Sequence, residues 1–344
     1  MFNGTLAEKT LELVRVASVT GQEKGLADLL EHWLVETFGR KTVKRWRHGL
    51  VVAPRGDVPS LALVGHLDTV PHAESQHLGI RDERVYGCGA SDMKAGVAVM
   101  LELLQRDYER PVCGIFYDQE EGPQKNNGLL PLLELAPPID LAMVLEPTSN
   151  TVQVGCVGSL HARVTVRGQR AHSARPWHGR NAVTEALPLL QKLAAEKPRE
   201  VKIQGHTFHE VLTLTQANTG NPRNAVPGLF TLNLNYRFAP GKSMEQAGDD
   251  IAQWLGEAEY EIEELCPSGQ VCLDHPLLSA WIERRNLKVE PKQAWTDVAQ
   301  LTEKGIPAVN FGPGDPAQAH QADEWAPIDG IETCAELLDD LLRS

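Results

Sequence analysis

Leu61-Ala62-Leu63-Val64-Gly65-His66-Leu67-Asp68-Thr69-Val70-Pro71 contains a four-residue apolar run that stops abruptly and opens into a histidine and an aspartate. Four apolar residues are too few for a helix and suit a strand buried on both faces. The same design recurs along the chain. Val112 to Tyr117 runs into Asp118-Gln119-Glu120-Glu121, and Leu141 to Leu145 runs into Glu146-Pro147-Thr148. Ala308 to Phe311 leads through Gly312 to Asp315 and on towards His320. Stretches with helical spacing separate these runs, among them Ala95 to Gln105 and Gly128 to Leu135. The alternation predicts an α/β domain with a mixed, largely parallel sheet and flanking helices.

Working outward, Leu6 to Val16 and Glu23 to Phe38 read as helices, the second with Thr20 as its expected cap. From about Gly158 the pattern changes. His161 to Arg167 alternates as a strand, Asn181 to Ala195 reads as a helix, and Val211 to Gln216 and Leu229 to Phe238 read as strands. Ser243 to Leu255 is a second helix capped by Ser243, and Tyr260 to Leu265 a last strand. The order β-α-β-β-α-β is ferredoxin-like. Beyond Pro267 the helix and strand alternation returns. We therefore expect a catalytic domain in two segments, 1–157 and 269–344, interrupted by an α+β lid or dimerisation domain at 158–268.

Bulk composition narrows the function. The 344 residues carry 46 acidic and 33 basic side chains, a formal net charge of -13 at pH 7, which disfavours phosphate backbones and anionic membranes. No nucleic-acid or membrane partner is expected. No run approaches the roughly 18 apolar residues of a membrane helix, and Met1 to Val16 lacks the pattern of a signal peptide. Six scattered cysteines without a C-x-x-C pair fit a reducing cytoplasm.

In open α/β sheets, ligands collect beyond the carboxyl ends of the strands. The clusters at His66/Asp68, Glu120/Glu121, Glu146 and His320 all fall at such ends, and a further one, Gly87 to Lys94, opens the helix that begins near Ala95. A lone histidine or a helix-capping aspartate carries little weight. Two histidines and several carboxylates sharing one crevice, however, need a cation to offset their repulsion. Imidazole with carboxylate is a zinc-type donor set, whereas calcium or magnesium would take oxygen alone. His66 and Asp68, two apart in extended backbone, point to one side, so Asp68 can orient the His66 ring. Glu120 and Glu121, if extended, face opposite ways. The glycines at Gly87 and Gly89 do not have the spacing of a phosphate-cradling loop, and an aspartate follows them.

Together these segments resemble the co-catalytic zinc amidohydrolases, the family of acetylornithine deacetylase, succinyl-diaminopimelate desuccinylase and carboxypeptidase G. The resemblance spans nearly the whole chain in the right order. It implies two zinc ions, with cobalt able to substitute. Asp92 would bridge them, His66 and Glu146 would complete one site, and Glu121 and His320 the other. It also implies Glu120 as general base, Asp68 as the residue orienting His66, and a cis peptide after Asp92. The segment Gly168 to Ala174 resembles the family stretch whose histidine stabilises the oxyanion, often across a dimer interface, which makes His172 the candidate. Asn224 and Arg237 match lid positions that hold a substrate carboxylate.

Gly155-Cys156-Val157-Gly158, Arg170 to Arg175, Trp295-Thr296-Asp297 and Gly312 to Pro316 look most like the desuccinylase branch of the shorter actinobacterial type. Arg175, Arg180 and Arg223 lie near His172 or Asn224 in sequence, where guanidinium could clamp a dicarboxylic acyl group. The expectation is hydrolysis of a small anionic N-acyl amino acid, first N-succinyl-LL-2,6-diaminopimelate, by a cytoplasmic homodimer paired through its lids. Deacetylation of N-acetylornithine or N-acetyl-lysine, and dipeptide hydrolysis, are the alternatives. A non-catalytic binding protein is the remote one.

Overall fold

The computed structural model describes residues 2–71 and 77–344. The chain divides into two compact units, one of Met1–Val154, Cys272–Glu290 and Gln300–Ser344, the other of Gly155–Val271 and Pro291–Ala299.

The first unit is built on an eight-stranded sheet. Its strands lie in the order Val43–Trp46, Gly49–Val52, Val112–Tyr117, Ser60–His66, Ile139–Val144, Ala308–Asn310, Val152–Val154, Val289–Pro291. The four central strands are mutually parallel, and antiparallel partners flank them on both sides. Ser60–His66 and Val112–Tyr117 are buried at every residue, which is why Leu61 to Val64 and Val112 to Tyr117 read as apolar runs. Behind them lies the helix Ala95–Leu104, buried along nearly its whole length. Gly65 permits its close approach, since a Cβ there would stand 2.8 Å from Met93 Cε and 2.9 Å from Met100 Sδ.

The second unit carries a five-stranded antiparallel sheet in the order Arg199–Ile203, His206–Asn218, Leu229–Phe238, Gly158–Arg167, Glu259–Cys266. Its last four strands have the ferredoxin-like arrangement. The edge strand Arg199–Ile203 is additional, joined to its neighbour through Gln204 and Gly205, both at positive φ as a tight hairpin requires. Ser243 caps the helix Met244–Leu255 in a capping box with Gln246.

Two local expectations need correction. The helix expected over Asn181 to Ala195 is broken into Ala182–Glu185 and Leu187–Ala194, because Pro188 has no N–H to continue the ladder. Thr20 does not cap Lys24–Phe38. Glu23 occupies that position without a side-chain bond to the helix, and the Thr20 hydroxyl donates to Asp68 Oδ2 (3.0 Å).

Polar chemistry also enters the second unit's packing. Buried Glu210 accepts from the Ala239 N–H (3.0 Å), the Tyr236 hydroxyl (3.1 Å), Lys242 (3.0 Å) and Arg199. Burial alone would raise its pKa, but these donors outweigh it and hold the carboxyl below its ordinary range. Its stabilisation is therefore present above the unfolded-state value of about 4.3 and is lost as pH falls through the lower folded value. Glu210→Ala is expected to destabilise this unit by about 2–3 kcal/mol in urea unfolding at neutral pH, because buried donors lose their acceptor. The deficit relative to wild type should shrink in acid, and a deficit independent of pH would contradict the assignment.

Candidate metal centre

Each candidate ligand of the first unit stands just past a parallel strand or on the loop before the buried helix. His66 is the last residue of Ser60–His66, Glu120 and Glu121 follow Val112–Tyr117, and Glu146 follows Ile139–Val144. His320 lies beyond Ala308–Asn310, on a segment that passes close beneath the others. Gly312 allows that passage, because a Cβ there would sit 2.4 Å from the carbonyl oxygens of Leu145 and Glu146.

Asp92 is central. Its Oδ1 is 3.1 Å from His66 Nε2 and its Oδ2 is 3.8 Å from His320 Nε2. Glu146 Oε1 is 3.8 Å from His66 Nε2, and Glu121 Oε1 is 2.9 Å from His320 Nε2. Among the described residues, three sets of donor atoms fall within 4.8 Å of one another: His66, Asp92 and Glu146; Asp92, Glu121 and His320; and His66, Glu120 and Glu121. The peptide Asp92–Met93 is cis. Gln119 (φ 58°), just before Glu120, and His320 (φ 64°) both hold the left-handed conformation uncommon for residues with a side chain.

The donor set fits divalent cations. Two imidazole Nε2 atoms and four carboxylates converge, and the carboxylates repel one another unless positive charge stands between them. Burial, aided by the nearby Asp92 carboxylate, pushes the Glu121 carboxyl above its ordinary value. Burial would lower the His66 imidazole, but Asp68 and Asp92 outweigh it and raise its pKa well above the usual histidine value.

Asp68 serves both the His66 ring and the next loop. The His66 Nδ1 is 3.0 Å from the main-chain oxygen of Asp68 and 3.6 Å from its carboxylate. With Nδ1 at that carbonyl, Nε2 is the ring nitrogen that faces Asp92 and Glu146 and would serve a metal. The Asp68 carboxylate also accepts the N–H groups of Glu120 and Glu121, both at 3.0 Å. Burial would raise its pKa, but the His66 ring first, and then those two bonds, outweigh it and hold it low. Glu120 and Glu121 therefore lie in a turn, and both carboxylates approach His66 instead of facing opposite ways.

Two buried acids escaped the reading of the sequence. Glu23 Oε1 accepts the N–H of Gly21 (2.8 Å) and of Gln119 (3.2 Å), supporting the turn that carries Glu120. Glu324 accepts the N–H groups of Gly89, Ser91 and Asp92 at 2.7–2.8 Å, and burial pushes its pKa up to about 7. No local motif marks Glu324, and the bond from Gln119 to Glu23 likewise spans 96 residues.

In the second unit, His172 pairs with Ala225 across a two-residue ladder, and the Ser173 N–H donates to the Asn224 carbonyl (2.9 Å). His172 and Asn224 are thus neighbours, and both are exposed. Arg175 closes the turn after His172, its N–H donating to the His172 carbonyl, and its side chain is exposed, as is that of Arg223. Arg180 lies 3.7 Å from Glu185, and half-buried Arg237 donates to Asn235 Oδ1 (2.8 Å).

Comparison with known proteins follows the same lines. The model of the peptidase family M20/M25/M40 matches residues 62–344. The chain is 35% identical to the succinyl-diaminopimelate desuccinylase of Corynebacterium glutamicum, over 96% of this chain and 94% of that one. It is 34% identical to a Mycobacterium tuberculosis protein provisionally given the same name, over 97% of both. Among solved structures it is similar to an M20 family metallo-carboxypeptidase from Sulfolobus solfataricus, with a TM-score of 0.78 at 15% identity over 99% of both chains. A Staphylococcus aureus tripeptidase gives 0.77 at 18% identity, covering 98% of this chain and 97% of that one. These two likenesses bear on the fold alone.

Proposed function

The chain belongs to the peptidase family M20/M25/M40, and from that membership we propose that it is a metal-dependent amidohydrolase that cleaves N-succinyl-LL-2,6-diaminopimelate to succinate and LL-2,6-diaminopimelate. The strongest support for the chemistry is Asp92, whose two oxygens face His66 and His320 from the midst of the carboxylates. His66 and Glu146 would hold one ion, Glu121 and His320 a second, and Asp92 would offer an oxygen to each. Two zinc ions, or cobalt in their place, would supply a lowered pKa for water and polarisation of the amide carbonyl.

The chain's own residues supply the proton traffic. Glu120 is the general base: it takes a proton from the water that adds to the amide carbon and gives it to the nitrogen as the C–N bond breaks. Asp68 holds the backbone of Glu120 and Glu121 by two N–H bonds, so both carboxylates are carried on one fixed turn. His172 donates to the developing oxyanion. Asn224, Arg237, Arg175, Arg180 and Arg223 bind the substrate carboxylates, the arginines providing the positive charge that an acidic protein otherwise lacks for an anionic substrate. We assign the second unit as the lid and the surface of a homodimer, and the cytoplasm as the enzyme's compartment. Among the described residues, no helix is long and apolar enough to cross a membrane.

The substrate is tested by kcat/KM on succinyl-diaminopimelate, N-acetylornithine and N-acetyl-lysine with the metal-loaded enzyme. The succinyl substrate is expected to lead by at least about tenfold, corresponding to about 1.4 kcal/mol of transition-state discrimination. A lead for either acetyl substrate would overturn the assignment of substrate while leaving the reaction class intact.

A further inference from the structure

We propose that Glu324 is a positioning residue that locks the Asp92 loop to the segment carrying His320, and so sets the metal site of Glu121 and His320 more than that of His66 and Glu146. The proposal rests on the reading of Asp92 as a ligand shared by two ions.

The strand Trp325–Pro327 pairs antiparallel with Arg84–Tyr86, and the Gly87 N–H donates to the Glu324 carbonyl at 2.9 Å. This pairing delivers the Glu324 side chain under the loop that follows Gly87. There its Oε2 accepts the Gly89 N–H (2.7 Å), and its Oε1 accepts the N–H groups of Ser91 (2.7 Å) and Asp92 (2.8 Å). A buried carboxylate receiving three main-chain donors makes charge-assisted bonds and fixes the peptide that carries the Asp92 side chain.

A second tie joins the same pieces. The Ser91 hydroxyl donates to the Trp325 carbonyl (2.7 Å) and accepts from the Asp315 N–H (3.1 Å). Gly314 lies so close to this loop that a Cβ there would be 2.4 Å from the Ser91 carbonyl oxygen. The stretch from Asp315 to Trp325, which includes His320, is thereby pinned at both ends to the loop before Asp92.

The two sites do not depend equally on this lock. His66 ends a central strand with ladder partners on both sides, and its side chain is 1% exposed. His320 belongs to no strand, and its side chain is 51% exposed. Its position relative to Asp92 therefore comes from the segment that Glu324 and Ser91 tie down.

The test is zinc titration of the metal-free full-length enzyme by calorimetry, together with the visible spectrum of the cobalt-loaded protein and the melting temperature of the metal-free form. Wild type is expected to bind two ions. Glu324→Ala should weaken by about 10–100-fold the ion that Glu121→Ala loses and leave the other within a few-fold of wild type, with one set of cobalt bands altered. Should Glu324→Ala not fold, Glu324→Gln and Ser91→Ala decide. Glu324→Gln turns an amide NH2 towards an N–H donor, Ser91→Ala removes the second tie, and each should produce the same selective loss in smaller degree. Equal weakening of both ions in step with a lower metal-free melting temperature would overturn the proposal, as would two ions bound with unchanged affinity. Wild-type protein that binds fewer than two ions would instead overturn the shared-ligand reading of Asp92.

Discussion

Glu120→Ala is expected to lower kcat by about 10²–10⁴-fold, the usual contribution of a positioned proton carrier, while the protein keeps its full complement of metal. The substitution removes a carboxylate and leaves the turn in place, because the Glu120 N–H still donates to Asp68 Oδ1. The comparison that gives the result meaning is Glu121→Ala. Glu121 Oε1 is 2.9 Å from His320 Nε2, so its removal should cost metal as well as turnover. Metal content by mass spectrometry alongside kcat separates the two. The geometry also groups Glu120 with His66 and Glu121, so loss of metal from Glu120→Ala would make Glu120 a ligand and leave the base to be found elsewhere. Full activity in that variant would remove it from the chemistry.

Asp92→Ala is expected to abolish turnover together with tight binding of both ions. Glu121→Ala, by contrast, should spare the site of His66 and Glu146. The difference follows from the two oxygens of Asp92, one 3.1 Å from His66 and the other 3.8 Å from His320. A ligand that binds only the folded state raises stability by about 2.7 kcal/mol at a hundredfold excess over its Kd. Added zinc should therefore raise the melting temperature of the metal-free wild type substantially and that of Asp92→Ala hardly at all. Treatment with a strong chelator should bring wild type to the melting temperature it shows without metal and stop the reaction, with zinc or cobalt restoring both. A variant that still melts higher with zinc and binds one ion tightly would show that Asp92 serves a single site.

Much of the fold was legible along the chain because the information is local. A strand buried on both faces must be apolar at consecutive positions, so Val112–Tyr117 is visible as a run with the same limits in sequence and structure. Leu229–Phe238 and the Ser243 cap are equally local, and both stand as read. The errors fall where one residue can serve two neighbours. Thr20 has the character of a cap, yet its hydroxyl is drawn to Asp68, 48 residues away. Pro188 breaks a helix that the apolar spacing alone would continue. Arg199–Ile203, an edge strand with charges among its apolar residues, has too weak a pattern to stand apart from a surface loop.

The candidate centre divides in the same way. By itself the sequence determined which residue types end the strands: histidine at 66, acids at 68, 120, 121 and 146, and a histidine at 320 after the last parallel strand. Parallel strands all deliver their carboxyl ends to one edge, so a strand-end position predicts a shared location without any knowledge of distance. Only the tertiary structure decided the hydrogen bonds that aim those side chains. The Asp68 carboxylate faces both the His66 ring and the backbone of Glu120 and Glu121, a double contact that the packing of adjacent strands sets. Glu324 reaches Asp92 across 232 residues of chain through a strand pairing with no local signature. Periodicity is set by a residue's neighbours in sequence, whereas the direction of a donor or acceptor is set by its neighbours in space.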